Sequence, residues 1–389
     1  MALKRIYIDG LGLVDGHFSG IGQYILGILR GIDEIIDNEK LLGKQTPKVK
    51  VIIPFNKLNR FNSFGFKHIE VKRLPISFKW MARLWHRGAM PPLDLFCGPG
   101  YYIFTRFVTM PLIYSKSAVI IYDISFELFK QYSDERNAAF LSGGTWKSIK
   151  QVEQIFTISQ NAKNEIHDFY KVPSSRIKVA TPAADQRYFY RRSPNEIERV
   201  KRKYGIGKDY VLALSNLEPR KNLETLVDAY CALPKKYREN LSLVLVGVSG
   251  WKTDKLFDKI IRLVNEGYDI VRPSKYVSDK DKPAIISGAN MLVYPSHYEG
   301  FGMPPLEALA CGVPVITADN SSLPEVVGDT GTLVKCTDTE QITSRMKEHL
   351  DGIKDITEAI KVRGPSQAQK FSWEKSARVY WDHLIKELN

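Results

Sequence analysis

Apolar positions in this chain come in short blocks whose period changes along the sequence. Residues 5–9 put Ile6 and Ile8 on one face and Tyr7 on the other, the period-two pattern of a strand. A helical pattern covers 25–36, after Ser19-Gly20-Ile21-Gly22-Gln23-Tyr24, which reads as a glycine loop. Continuous apolar runs recur at 49–53, 69–71, 93–97, 118–122, 154–159 and 177–180, with helical stretches such as 161–170 between several of them. Gly98-Pro99-Gly100-Tyr101-Tyr102 reads as a loop at a strand end. This alternation predicts a mostly parallel sheet covered by helices. Thr181-Pro182-Ala183-Ala184-Asp185 interrupts it at mid-chain, and Ser193-Pro194-Asn195-Glu196 signals a new helix. A second series follows: strands at 210–214, 241–247, 291–294 and 313–317, and helices at 223–232, 252–265, near Ala284, at 321–328 and from Phe371 onward. The expected class is α/β, with doubly wound domains over 1–190 and 191–370 and a closing helix over 371–389.

Length agrees with that division, since 389 residues exceed one ordinary core. Hydrophobic residues make up 44% and charged residues 25%, as in soluble globular proteins. No apolar run approaches the roughly 18 residues a membrane span needs. Met1-Ala2-Leu3-Lys4-Arg5 leads straight into a strand without a signal-peptide core. Cys97, Cys231, Cys311 and Cys336 form no CxxC pair, which suits reduced thiols and a cytoplasmic setting. The histidines show no ligand spacing with them, so no structural zinc is expected.

The net charge is +13 and lies mainly in the first half. Residues 1–185 carry 25 Lys and Arg against 16 Asp and Glu, and the remainder carries 31 against 27. The densest basic run is Lys57, Arg60, Lys67, Lys72, Arg73, Lys79, Arg83 and Arg87, with Trp80 and Trp85 inside it. Basic residues mixed with tryptophan suit an anionic membrane surface. A solvated basic face with both rings in the core suits the pattern equally well. Nucleic acid ranks below both, because no nucleic-acid motif accompanies the charge.

Two turns carry candidate chemistry. After strand 210–214 comes Ser215-Asn216-Leu217-Glu218-Pro219-Arg220-Lys221-Asn222, with Asn222 expected as the N-cap of the next helix. Arg220 and Lys221 then sit at the carboxyl edge of the sheet, where two fixed cations can hold a diphosphate, or simply face solvent. After strand 291–294 comes Pro295-Ser296-His297-Tyr298-Glu299-Gly300-Phe301-Gly302-Met303-Pro304-Pro305-Leu306-Glu307. Free amides of the loop and helix start form an expected anion seat. Glu299 and Glu307 flank it. Carboxylates with bare amides suit a ligand bearing hydroxyls and phosphates, such as a sugar nucleotide.

The second string resembles the Glu-x7-Glu signature of retaining GT-B glycosyltransferases of the family-4 type. The Glu-Pro-Arg-Lys-Asn string resembles the same family's donor-phosphate motif, and many members are mannosyltransferases. The resemblance spans nearly the whole chain, most strongly 210–335 and least 38–110. It implies a GT-B fold, with two Rossmann-like domains facing across a cleft and a last helix crossing back to the first. It implies that Glu299 faces the donor sugar, Glu307 holds the ribose, and Gly300, Phe301, Gly302 and Met303 line the donor. Arg220 and Lys221 neutralise the leaving diphosphate. Gly22 is assigned beside the donor phosphates, and Gly20, with Gln23 and Tyr24, toward the acceptor. Tyr276 and Val277 stand where relatives meet the nucleotide base, although Lys275 replaces the expected glycine.

Relatives usually carry His-Asp where this chain has Tyr122-Asp123, the His facing the sugar. Tyrosine is a poor proton acceptor at neutral pH. The exchange suggests a changed donor, such as a 6-deoxy sugar, or a ring that merely fills space. The expected activity is metal-independent transfer from a GDP-, UDP- or dTDP-linked sugar to a lipid-linked saccharide in surface polysaccharide synthesis. The expected location is cytoplasmic, peripheral to the inner membrane. The alternatives are a GT-B nucleotide-sugar hydrolase or epimerase, a non-catalytic nucleotide-sugar binder, and a nucleic-acid-binding protein.

Overall fold

The computed structural model describes residues 5–14, 20–74 and 91–388. Among them the chain divides into two compact units, one running to Pro182 and resuming at Ser372, the other spanning Ala183–Phe371. The basic residues Lys79, Arg83 and Arg87, with Trp80 and Trp85, lie outside the described residues, as does Ser19.

The first unit holds a parallel sheet of β1 (Arg5–Asp9), β2 (Lys48–Pro54), β3 (Ile69–Leu74), β4 (Tyr101–Phe104), β5 (Lys116–Ile120), β6 (Gln154–Thr157) and β7 (Ile177–Val179). Their order is β3-β2-β1-β4-β5-β6-β7. The second holds β8 (Asp209–Leu214), β9 (Leu241–Val246), β10 (Ile270–Val271), β11 (Met291–Tyr294), β12 (Val315–Ala318) and β13 (Thr332–Val334), ordered β10-β9-β8-β11-β12-β13 and parallel throughout. Helices cover the sheets, so central strands are buried on both sides and read as unbroken apolar runs. Leu241–Val246 is buried at every position. Both sheets wind outward in two directions from a central pair of strands, the doubly wound pattern.

Four local expectations are corrected. Leu93–Cys97 is a helical turn, not a strand. Its buried Asp94 takes the amides of Ile113 and Tyr114, closing the turn on the next segment. The strand at that place in the sheet is Tyr101–Phe104, part of which reads as a loop because Gly98-Pro99-Gly100 precedes it. The segment from Gly20 is also not a loop, because the helix Gly20–Leu41 already begins there. The helix expected at 252–265 starts at Asp254.

The last helix, Trp373–Leu388, belongs to the first unit and packs along Gly20–Leu41. A Cβ on Gly27 would lie 2.4 Å from the Trp373 ring, and one on Gly31 would lie 2.5 Å from Ala377. Glycine there lets the two backbones close. Tyr101 and His383 share a hydrogen bond of 2.8 Å, and Trp381 donates to Glu39 at 3.0 Å.

Candidate active site

Open α/β sheets bind ligands beyond the carboxyl ends of strands where the winding reverses. In the second unit that point lies between β8 and β11. The segments leaving those strands, 215–222 and 295–302, carry Arg220, Lys221 and Glu299. Pro219 starts a single tight turn, Pro219–Lys221, and Asn222 ends it in the left-handed region at φ 55°. The turn directs both cations at the second segment. Arg220 Nη1 donates to Glu299 Oε2 at 2.9 Å and to the Tyr298 carbonyl at 2.7 Å. Its Nη2 donates to Glu218 at 2.8 Å. Lys221 Nζ donates to Glu299 Oε1 at 2.6 Å and to the Tyr294 hydroxyl at 3.1 Å.

Glu218, Lys221 and Glu299 are buried, and the four charged groups balance. Burial opposes ionisation of Glu299, but the charges of Lys221 and Arg220 outweigh it and hold the carboxyl down at about 2. Burial pulls the Lys221 ammonium below its ordinary value, and Glu299 opposes that. The cluster is therefore an ion pair at neutral pH, with cations and a carboxylate poised at one spot.

Neighbouring strand ends brace it. Asn222 does not cap the following helix with its side chain, contrary to expectation. In the left-handed conformation its amide instead donates to the carbonyls of Pro295, at 3.0 Å, and Cys336, at 2.6 Å, while its oxygen accepts from Thr225. Ser321 accepts from the Glu299 amide at 3.0 Å, and Ser322 reaches the carbonyls of Glu299 at 2.8 Å and Phe301 at 2.5 Å. The start of the segment read as a helix over 321–328 thus holds the Glu299 loop. Gly302 has φ 122°, and a Cβ there would press on Leu323 at 2.9 Å.

The helix Met303–Ala310 begins directly after Gly302. Its start is a poorer anion seat than expected. Pro304 and Pro305 have no N–H, and Leu306 spends its own on the Gly302 carbonyl. Any anion seat here draws on the amides of Gly300, Phe301, Gly302 and Met303. Glu307 lies further along this helix, buried, with Lys282 Nζ at 2.8 Å from Oε1 and 2.7 Å from Oε2. Burial pushes its carboxyl above the usual range, and Lys282 pulls the other way. Tyr276 is exposed and Val277 half-buried, on the segment before the helix Lys282–Ser287.

In the first unit the expected acceptor-facing residues are spent on structure. Tyr24 is buried; its hydroxyl donates to the Ala180 carbonyl at 2.8 Å and bonds Tyr380 at 3.1 Å, so it presents nothing to an acceptor. Tyr122 packs edge-on against Tyr24 at 5.4 Å, and its hydroxyl donates to the Thr105 carbonyl at 2.9 Å. The ring fills space, and its hydroxyl is spent on the backbone. Asp123 accepts from the Ser125 amide at 2.9 Å, a local turn. Gly20 is exposed and Gly22 buried in the first turn of their helix.

The residues that sequence reasoning left unassigned are Glu218, Lys282, Tyr294, Ser321 and Ser322. Glu218 stood inside a quoted motif. Lys282 was signalled only by its place before Pro283, at a helix start.

Two doubly wound parallel sheets of this kind make up the GT-B fold. The family model for glycosyl transferases group 1 matches residues 196–361. O-antigen chain mannosyltransferase B of Escherichia coli is 35% identical over 283 residues, covering 72% of this chain and 71% of the relative. The serotype-specific mannosyltransferase WbdA of E. coli is 30% identical over 237 residues, 59% of this chain but 28% of that one. The crystal structure of Anabaena Alr3699/HepE in complex with UDP and glucose superposes with a TM-score of 0.70 at 18% identity, over 98% of this chain and 99% of the other. The chain belongs to the group 1 glycosyltransferase family and is a glycosyltransferase.

Proposed function

We propose that this enzyme transfers a mannosyl group, with retention at the anomeric carbon, from a nucleotide diphosphate sugar to a lipid-linked saccharide during surface polysaccharide synthesis. The observation that carries this reading is the cluster of Arg220, Lys221 and Glu299 at the winding reversal of the second sheet. Mannosyl transfer is favoured because the similar E. coli proteins are mannosyltransferases.

In this reading the donor diphosphate meets Arg220 and Lys221, with amides of Gly300 to Met303 beside it, and the acceptor is taken by the first unit. Glu299 orients the sugar, Glu307 holds the ribose, and Tyr276 and Val277 meet the base. An acceptor hydroxyl attacks the anomeric carbon on the face from which the diphosphate leaves. The carbon–phosphate-oxygen bond breaks, the new glycosidic bond forms, and the hydroxyl proton passes to the departing phosphate oxygen. Cations aimed at that oxygen act where charge develops. No histidine base is required, so Tyr122 is compatible with the chemistry.

The cations take the role a metal would play, so turnover is metal-independent. Chelator leaves the rate unchanged; inhibition reversed by magnesium or manganese would overturn that. The basic run that includes Lys57, Arg60, Lys67, Lys72 and Arg73 is read as the part that meets an anionic membrane, with the enzyme on its cytoplasmic side. Among the described residues no helix is long and apolar enough to cross a membrane. The decisive assay offers GDP-mannose, UDP-glucose and dTDP-rhamnose with a lipid-linked oligosaccharide and analyses the products. Mannosylated product with the α-anomer kept is expected. Free sugar or an epimerised nucleotide sugar alone would sink the transferase reading.

A further inference from the structure

We propose that Lys282 is a positioning residue that keeps Glu307 a carboxylate and thereby lets it recognise a ribose. The proposal rests on the reading of Glu307 as the ribose acceptor. Glu307 is 1% exposed, and the ion pair its carboxylate makes among the described residues is with the Lys282 ammonium. Oε2 lies 2.7 Å from that ammonium but receives no aligned hydrogen bond among the described residues. A buried acceptor left unsatisfied is costly, and a sugar hydroxyl would satisfy it.

Lys282 is itself held in place. It follows Asp281, which is buried and bonds Lys203 at 2.5 Å, Tyr204 at 2.9 Å and Ser278 at 3.0 Å, with Arg199 at 3.4 Å. That cage pins the start of the helix Lys282–Ser287. The ammonium also lies over the Phe189 ring, 5.3 Å from its centre. Few other ionisable groups bear on Glu307. Asp279 opposes its ionisation, and the Cys311 thiol, which Arg192 also influences, is buried nearby. Lys361, on the helix packed against Met303–Ala310, is paired with Glu358. Without Lys282 the buried carboxyl takes up a proton, and one acceptor oxygen becomes a donor.

The experiment measures binding of guanosine and uridine diphosphates and their 2′-deoxy analogues to the full chain by calorimetry. The wild type is expected to lose about tenfold or more in affinity without the 2′-hydroxyl. Lys282→Met should bind both forms within about twofold at neutral pH and regain the preference as pH is raised and the buried carboxyl ionises. Lys282→Arg should keep the wild-type preference. Glu307→Gln should match Lys282→Met, and the double variant should lose nothing more. A wild type indifferent to the 2′-hydroxyl overturns the ribose reading of Glu307. A wild type that discriminates, with a folded Lys282→Met that discriminates equally, overturns the role of Lys282 alone. Should Lys282→Met fail to fold, Lys282→Gln, a neutral donor of similar length, carries the same comparison.

Discussion

Replacing Glu299 with glutamine removes one charge from a buried, balanced cluster. The carboxyl sits at about 2 against an ordinary 4.5. Such a shift contributes about 3 kcal/mol to folding at neutral pH. Its sign follows from the depressed value: the stabilisation is complete above 4.5 and is lost as pH falls toward 2. Breaking a buried ion pair from one side costs about 3–5 kcal/mol, because the remaining charge stays buried. Lys221 is that charge, and its other hydrogen-bond partner among the described residues is the neutral Tyr294 hydroxyl. Glu299→Gln should therefore lower the melting temperature by about 6–20 °C at pH 7 for a unit of this size. The gap to wild type should narrow as pH falls from 5 to 2.5, since the wild type then loses the same charge. The variant also frees Arg220 and Lys221 from their competing carboxylate. Nucleoside diphosphate should then bind more tightly while transfer slows by about a hundredfold or more. Calorimetric melting across pH, with nucleotide titration, checks both effects. A variant within about 0.5 kcal/mol of wild type, with a parallel acid profile, would refute the buried-pair account.

Other outcomes follow from the same geometry. Tyr122→Phe removes one buried hydrogen bond and should cost about 1 kcal/mol by urea unfolding, while competition among nucleotide sugars should show donor preference unchanged. Ser322→Ala unties the carbonyls of Glu299 and Phe301; it should cost about 1–2 kcal/mol and lower kcat more than it raises the donor KM. A pre-steady-state measurement showing kcat intact would mean that the loop holds its shape without that hydroxyl.

The parts of the fold legible in the sequence were those with long, uniform patterns. Leu241–Val246 and Met291–Tyr294 are buried on both faces, so apolar runs marked them directly. Leu93–Cys97 misled because five residues of mixed apolar character carry no period, and the deciding feature is Asp94 bonding amides some twenty residues away. Tyr101–Phe104 was obscured because its first residues follow a glycine-proline turn. At the site, Arg220, Lys221 and Glu299 stood out because the strings that carry them, each after a strand, resemble family motifs; position alone would have left Arg220 and Lys221 as a solvated turn. Lys282 and the two serines could not, because their meaning lies in what folding sets beside them: Lys282 against Glu307, and Ser321 and Ser322 against the Glu299 loop. Tyr24 and Tyr122 differ for the opposite reason. The family resemblance implied outward-facing roles for them, whereas in the fold their hydroxyls close internal bonds.

The helix Trp373–Leu388 completes a unit whose other residues end at Pro182. During synthesis, the earlier part of that unit leaves the ribosome with the groove along Gly27 and Gly31 uncovered, and the entire second unit emerges before Trp373 and Ala377 arrive to fill it. Domains usually fold in the order they are made. Here the later-made unit can finish first, so slow translation through 183–371 would prolong the exposure of an apolar groove to chaperones and proteases.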